Sequence, residues 1–313
     1  MRDYADACFR YFRFTEMFVS DGRSIRIAPD KIPEIDFILE TVPREPTHID
    51  DVTAFKNYLF DPAQPRLYTD NRSNLEDILM RHFSYTKREL SGKTIEELKD
   101  LRDSTVQTKR EAIIRKQSEE LKSYALYQEV IDTYNEILSD EVYDAPLFLE
   151  WNTWRSMTML DGGTIKGNFK IDDSGRPISI AQGNMPDIEC DYDTFALSVE
   201  VTLQRGQRQY ESEGEPVTRH YAQLQKAIGK NTYCLFIAPS INRATWAHFF
   251  GLNQIRNIAA YGGKPKIIPL ELDLFMRLIE NAYTSEDIPK PQDVQNFLQT
   301  AIDEIENSTD EID

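Results

Sequence analysis

Residues 186–202, PDIECDYDTFALSVEVT, constrain the fold more than any other stretch of this chain. They read as two strands, at 187–190 and 195–203, joined tightly through Asp191-Tyr192-Asp193. Side chains alternate across a strand, so Val199 and Val201 point one way and Glu200 the other. The strand FALSVEV is nonetheless apolar on both faces, the pattern of a strand covered on both sides. A lone buried carboxylate in such a strand is destabilising by several kcal/mol. Asp187 opens the preceding strand, thirteen residues earlier, and a strand, a turn and a strand can return it to the same end of the hairpin as Glu200. Two neighbouring carboxylates raise each other's pKa unless a cation sits between them. Hard oxygen donors with open positions suit Mg²⁺. The competing reading puts Glu200 on the wet face of a one-sided sheet, with Asp187 capping a turn.

The order of elements around the pair weighs against that competitor. Asp144 is placed to cap a helix that carries Pro146 in its first turn, and Leu147, Trp151 and Trp154 share one face of it. Residues 164–171 read as a strand, Asp173-Ser174-Gly175 as a turn, and 177–181 as the returning arm. After Pro216, residues 218–228 read as a helix ended by Gly229. YCLFIA at 233–238 is an apolar run of strand length, typical of a central strand. Helices are expected at 244–260, 270–282 and 291–306. The order is helix, three strands, helix, strand, so residues 141–313 are expected to form an α/β unit, a mixed sheet flanked by helices.

The first half has a different character. Residues 46–140 read as a mainly helical connector region. It opens with Pro46, Pro62 and Pro65 among polar residues. Thr94-Ile95-Glu96-Glu97 is a capping box, 104–120 is a charged, exposed helix, and 124–138 is amphipathic. Residues 1–45 hold an aromatic-rich stretch at 9–18, a short alternating stretch at 24–28 and the start of a helix at 35–39. A helix, a small hairpin and a helix fit the end of a winged-helix-like DNA-reading region. A generic α/β packing layer fits equally.

Composition sets limits on function. With 313 residues, 40% hydrophobic, 16 Phe and 15 Tyr, the chain can bury a globular core. No run approaches the ~18 apolar residues of a membrane span, and the N-terminal MRDYADACFRYFR lacks the apolar region of a signal peptide. Cys8, Cys190 and Cys234 make neither a zinc pattern nor a disulfide framework, which suits a reducing cytoplasm. The net charge of -17 opposes binding of phosphate-rich partners. Metal-binding carboxylates account for part of it, and the acidic tail 285–313, expected to lie away from any site, for more.

Three blocks carry a resemblance: PLFLEWNTW at 146–154, PDIECDYDTFALSVEVT at 186–202 and GQRQYESEGEPVTRH at 206–220. Together they resemble the AlwI-like family of type II restriction endonucleases, within the PD-(D/E)XK nuclease superfamily. The likeness is clearest over about 145–250 and weaker over YFRF…IRIAPDKIPEI near the N-terminus. In the superfamily pattern Asp opens the second strand and (D/E)-x-K lies on the third. Here Glu200-Val201-Thr202 puts Thr in the place of Lys, a departure the family shares.

The resemblance implies a PD-(D/E)XK restriction-endonuclease-like core (αβββαβ) preceded by a mainly helical region. It implies Mg²⁺-dependent hydrolysis of phosphodiester bonds in double-stranded DNA, as a restriction or nicking enzyme, with Mn²⁺ as a substitute ion. The products would be a 5′-phosphate and a 3′-hydroxyl. Carried over by position, the catalytic groups are Glu150, Asp187, Glu200, Glu213 and His220. The metal would be held by Asp187, Glu200, the carbonyl of Val201 and Glu150. Arg219 would contact DNA phosphate, and Lys226 would supply the missing positive charge. Each has a plainer alternative: Glu213 as a solvated loop acid, His220 as a cap or core group, Arg219 paired with a nearby acid. The alternative function is a partner-dependent cleavage subunit, or a truncated, inactive fragment lacking its DNA-reading domain. A DNA-reading or second cleavage subunit would then join DNA as a partner.

Overall fold

The computed structural model describes residues 2–308 except 46, 62, 64, 161, 181, 182, 257, 286 and 288. Pro46 and Pro62 of the connector, Ala181 of the returning arm, and Glu286, Ile288 and 309–313 of the acidic tail lie outside the described residues. The first half consists of α1 (Arg2–Phe14), β1 (Phe18–Ser20), β2 (Ile25–Ile27), α2 (Ile32–Thr41), α3 (Val52–Leu59), α4 (Arg72–Phe83), α5 (Lys87–Leu90), α6 (Ile95–Lys122) and α7 (Tyr127–Leu138). The second half continues with α8 (Ala145–Met159), β3 (Thr164–Gly167), β4 (Lys170–Ile171), β5 (Pro177–Ser179), β6 (Ile188–Asp191) and β7 (Phe195–Val201). It ends with α9 (Gln207–Ile228), β8 (Asn231–Ala238), α10 (Arg243–Asn253), β9 (Ile267–Glu271), α11 (Leu272–Thr284) and α12 (Pro291–Asn307). The expected order of helix, strands, helix, strand is present. Among the described residues no helix is long and apolar enough to cross a membrane.

Five strands make one mixed sheet in the order β3-β6-β7-β8-β9. β3, β6 and β7 run antiparallel, and β7, β8 and β9 run parallel. Helices cover both faces, which explains why β7 and β8 are apolar on both sides. Leu197, Val199, Leu235 and Ile237 pack into a core shared with α7, α8, α11 and α12. Cys234, Phe236 and Ala238 face Val217 and Tyr221 of α9 and Phe249 of α10. In register, Glu200 lies beside Phe236, so it points toward the α9 side.

Four details differ from the sequence reading, each with a local cause. The strand expected over 164–171 is split at Asn168. Its backbone N–H donates to the Asp187 carbonyl at 2.9 Å, and its side-chain amide donates to Pro186 O and Glu189 Oε1. The chain then leaves the sheet, and β4 pairs with β5 as a separate ribbon. Next, α9 starts at Gln207 and runs through Pro216 instead of beginning after it. Proline removes one N–H from the helix, but the burial of Gln209, Val217, Tyr221 and Leu224 on either side of it offsets that loss. Third, α10 stops at Asn253, whose side-chain amide pairs with both backbone groups of Ile267 and anchors the helix end on β9.

The fourth detail concerns Asp144. It stands at the start of α8 in the left-handed region, at φ 55°, and its side chain makes no cap hydrogen bond. The carboxylate is instead fully buried between Arg10, at 2.7 Å, and Arg13. Two guanidinium groups outcompete a backbone N–H for a buried carboxylate. The result ties α1 to the start of α8. That helix is itself buried nearly all round, with Pro146 its one residue outside the buried set, where the sequence suggested a single apolar face.

Candidate active site

Glu200 lies one residue before the end of β7, and only 6% of it is exposed. Asp187 directly precedes β6, whose Ile188 pairs with Val199, so continuing the antiparallel register by one residue sets Asp187 opposite Glu200. Asp187 Oδ2 accepts the backbone N–H of Val201 at 2.8 Å, which pins it to the strand that carries Glu200. The hairpin thus brings both carboxylates to one end. The shape arises from strand alternation and a tight turn in which Tyr192 donates its N–H to Phe195.

Both acids are held well above the usual carboxylate range. For Asp187 burial is the main cause, followed by the charge of Glu200, and the Val201 N–H opposes the shift. For Glu200 burial again leads, followed by Glu213 and Glu150, while the backbone N–H of Asp187 and Arg219 pull the other way. Glu150 and Glu213 are thus within electrostatic reach of Glu200, and Glu213 of Asp187. Glu150 comes from α8, 8% exposed, and Glu213 from the second turn of α9.

Glu213 is not a free loop acid. The Thr202 hydroxyl donates to its Oε1 at 2.8 Å, and Thr202 is itself fixed by its N–H to Ile237 O at 3.0 Å. The residue in the superfamily's Lys position therefore orients an acid on the next helix. His220, two turns further along α9, places Nδ1 3.0 Å from Glu200 Oε1. Burial and the Arg219 charge lower the His220 pKa, against Glu215 and Glu213.

The two basic candidates sit differently. Arg219 donates to Glu215 at 2.9 Å and to Asn184, so the pairing with a nearby acid is the state seen. Lys226 is at the last turn of α9 and donates to the Ala260 carbonyl. That engagement is at the opposite end of α9 from Glu213. Val201 meets Asp187 through its N–H. Sequence reasoning missed Asn168, which fixes the approach to Asp187 through its carbonyl. Its signal was a polar amide interrupting an otherwise continuous strand pattern.

The arrangement is rich in oxygen donors and poor in nearby cations. Among the described residues no three His, Cys, Asp or Glu side chains are grouped to hold an ion as they stand. The polar contacts explain part of this: Asp187 turns one oxygen to Val201, Glu200 one to His220 and Glu213 one to Thr202.

Comparison with known proteins gives a family. The profile described as AlwI restriction endonuclease matches residues 1–278. Among solved structures, the crystal structure of the small subunit (R.BspD6I2) of the heterodimeric restriction endonuclease R.BspD6I is similar, at 27% identity and a TM-score of 0.49. The similarity covers 57% of this chain and 94% of that one. No curated protein sequence matches.

Proposed function

Because the chain belongs to the AlwI restriction endonuclease family, and so is a type II restriction endonuclease that hydrolyses DNA, we propose that it cuts double-stranded DNA with a divalent metal at Asp187 and Glu200. The observation that carries this reading is the pair itself: two carboxylates on adjacent strands, buried and repelling each other, with Glu150 and Glu213 adding to the repulsion. Such a set is disfavoured as bare anions. Its donors are hard oxygens, the chemistry that suits Mg²⁺ or Mn²⁺. The residues therefore fit the ion. Asp187, Glu200 and the carbonyl of Val201 would hold it, with Glu150 completing the set. A bound divalent ion supplies polarisation of the scissile phosphate and a lowered pKa for the attacking water.

The chain's own residues do the rest. When Glu200 is ionised, a neutral His220 would donate from Nδ1 to its Oε1. Glu213, steadied by Thr202, is placed to accept a proton from water or to orient it. Thr202 keeps Glu213 in position, and its hydroxyl supplies no positive charge there. The enzyme acts where DNA is found, and the three unpaired cysteines suit a reducing compartment.

A partner-dependent form of the same activity is the second reading. Its support is the number of large apolar side chains exposed in the first half, Phe12, Phe14, Leu59 and Phe60 among them, since such surface marks protein contact. A nicking assay on mixed plasmid DNA, with Mg²⁺, with Mn²⁺ and with chelator, tests both. Metal-dependent cuts by the purified chain support the first reading. Cleavage that appears only with an added DNA-reading subunit supports the second. Cleavage undiminished by chelator contradicts the metal in either.

A further inference from the structure

Gln209 has no exposed surface, lies in the first turn of α9, and joins two loops. Its Nε2 donates to the carbonyls of Gln204 and Ser240, both at 2.9 Å. Its Oε1 accepts the N–H of Asn242 at 2.8 Å. These loops follow β7 and β8, which are parallel neighbours. Both therefore leave the same edge of the sheet, the edge at which β7 delivers Glu200 and Thr202. Gly206 makes the turn between Gln204 and Gln209 at φ +63°, a conformation that favours glycine.

Each tied position has an arginine beside it in the chain: Arg205 next to Gln204, Arg208 next to Gln209, Arg243 next to Asn242. All three are exposed. Among the described residues none of their guanidinium groups makes a hydrogen bond or an ion pair. Three other cations of this half are engaged: Arg219 with Glu215, Lys230 with Asp191, Lys264 with Glu306.

These loops contain no acidic residue of their own, and Glu271, at the end of β9, reaches the second of them at the Ile241 N–H, 3.3 Å away. The chain has 53 Asp and Glu among 313 residues, yet residues 203–210 contain none, and neither do residues 216–270. A protein of net charge -17 that acts on DNA must gather free cations where the phosphates approach. Arginine is suited to that role, because its planar fork binds phosphate oxygens in pairs.

We propose that Arg205, Arg208 and Arg243 form a clamp on the phosphate backbone of duplex DNA at the carboxylate edge of the sheet, with Gln209 as the positioning residue that holds the two loops in register. The clamp rests on the endonuclease reading above, and its test separates the two. Binding of the full chain to a labelled duplex is measured in chelator, from about 50 to 200 mM salt, and plasmid cleavage is measured in parallel with Mg²⁺. Each phosphate contact contributes about 0.9 to the slope of log affinity against log salt. The combined variant Arg205→Gln, Arg208→Gln, Arg243→Gln should lose about 2.7 of that slope and raise KM more than it lowers kcat. Gln209→Met keeps all three arginines; a smaller but clear loss of slope and a raised KM are expected, with a melting curve confirming that it folds.

An unchanged slope in the triple variant overturns the clamp, and continued cleavage by the wild type then leaves the nuclease reading intact. The expected loss of slope together with a wild type that cuts nothing, alone or with an added DNA-reading subunit, leaves the clamp standing and removes the carboxylate reading. A wild type that does not bind duplex at low salt removes the clamp, and one that also cuts nothing with an added DNA-reading subunit removes both. A Gln209→Met chain with the wild-type slope and KM removes the positioning role.

Discussion

The sheet unit and the N-terminal segment of this chain are built on different terms. In β8 every residue after Asn231 is buried, and α8 is buried nearly all round. In α2 and α3 no residue is buried, and Phe60 at the end of α3 is 81% exposed. The sheet unit carries its own core, so its carboxylates are held by packing on two faces. The first segment is attached by a few specific contacts, of which the Arg10–Asp144–Arg13 cluster is the most buried. The contrast teaches where packing is placed: the carboxylate pair sits in the part covered on both faces, and the most exposed large apolar side chains, Phe60, Tyr11 and Val52, sit in the other.

The sharpest way to break the comparison is to open the core beside the site. Phe236 is fully buried and lies next to Glu200 in the sheet. Phe236→Ala should destabilise the chain by about 3–5 kcal/mol, read as a lower denaturant midpoint. A change below about 1 kcal/mol would show that the sheet is far looser than its burial indicates. Asp144→Ala comes next. It leaves Arg13 buried without its carboxylate, and removing one partner of a buried pair is destabilising by about 3 kcal/mol or more. If that variant melts like the wild type, α1 is not fastened to α8 through this cluster.

Much of the sheet-bearing half was legible in the sequence, for physical reasons that can be named. FALSVEV and YCLFIA are apolar on both faces because helices cover both faces. The period of two alone set Glu200 apart from Val199 and Val201. The capping box at Thr94 and Glu97 formed as read, since it depends only on local chain. What escaped depends on distant partners. Asp144 gave up its capping role to arginines more than 130 residues away. The helix around Pro216 persists because of what it packs against, and Gln209 looked like one more polar residue in a polar run. The contact between Thr202 and Glu213 joins a strand end to the following helix, and no spacing rule announces it.

A subtler effect follows from the raised pKa values. Asp187 and Glu200 hold their protons more tightly in the folded chain than in the unfolded one. Their contribution to stability is therefore complete below the ordinary carboxylate pKa and is lost as pH rises through the folded value. Without metal, the wild type should lose stability relative to Glu200→Gln as pH rises from about 4 toward neutrality. Thermal melts of the two in chelator across that range check the sign. A gap that narrows with rising pH would mean that Glu200 is not held as an acid. The smallest effect is expected at the exposed surface: Phe60→Ser should change stability by no more than about 0.5 kcal/mol. A large loss there would mean that α3 is packed more tightly than its exposure indicates.

The central claim is that the carboxylate pair is where DNA is cut. Asp187→Asn keeps the shape of the side chain and removes a charge that repels Glu200. The most direct measurement pairs plasmid nicking in Mg²⁺ with thermal melts, with and without Mn²⁺, for the wild type and this one variant. The variant should cut no plasmid above background, melt at or above the wild-type temperature in chelator, and lose the stabilisation that Mn²⁺ gives the wild type. Nicking by Asp187→Asn at the wild-type rate would place the active site elsewhere and contradict the account.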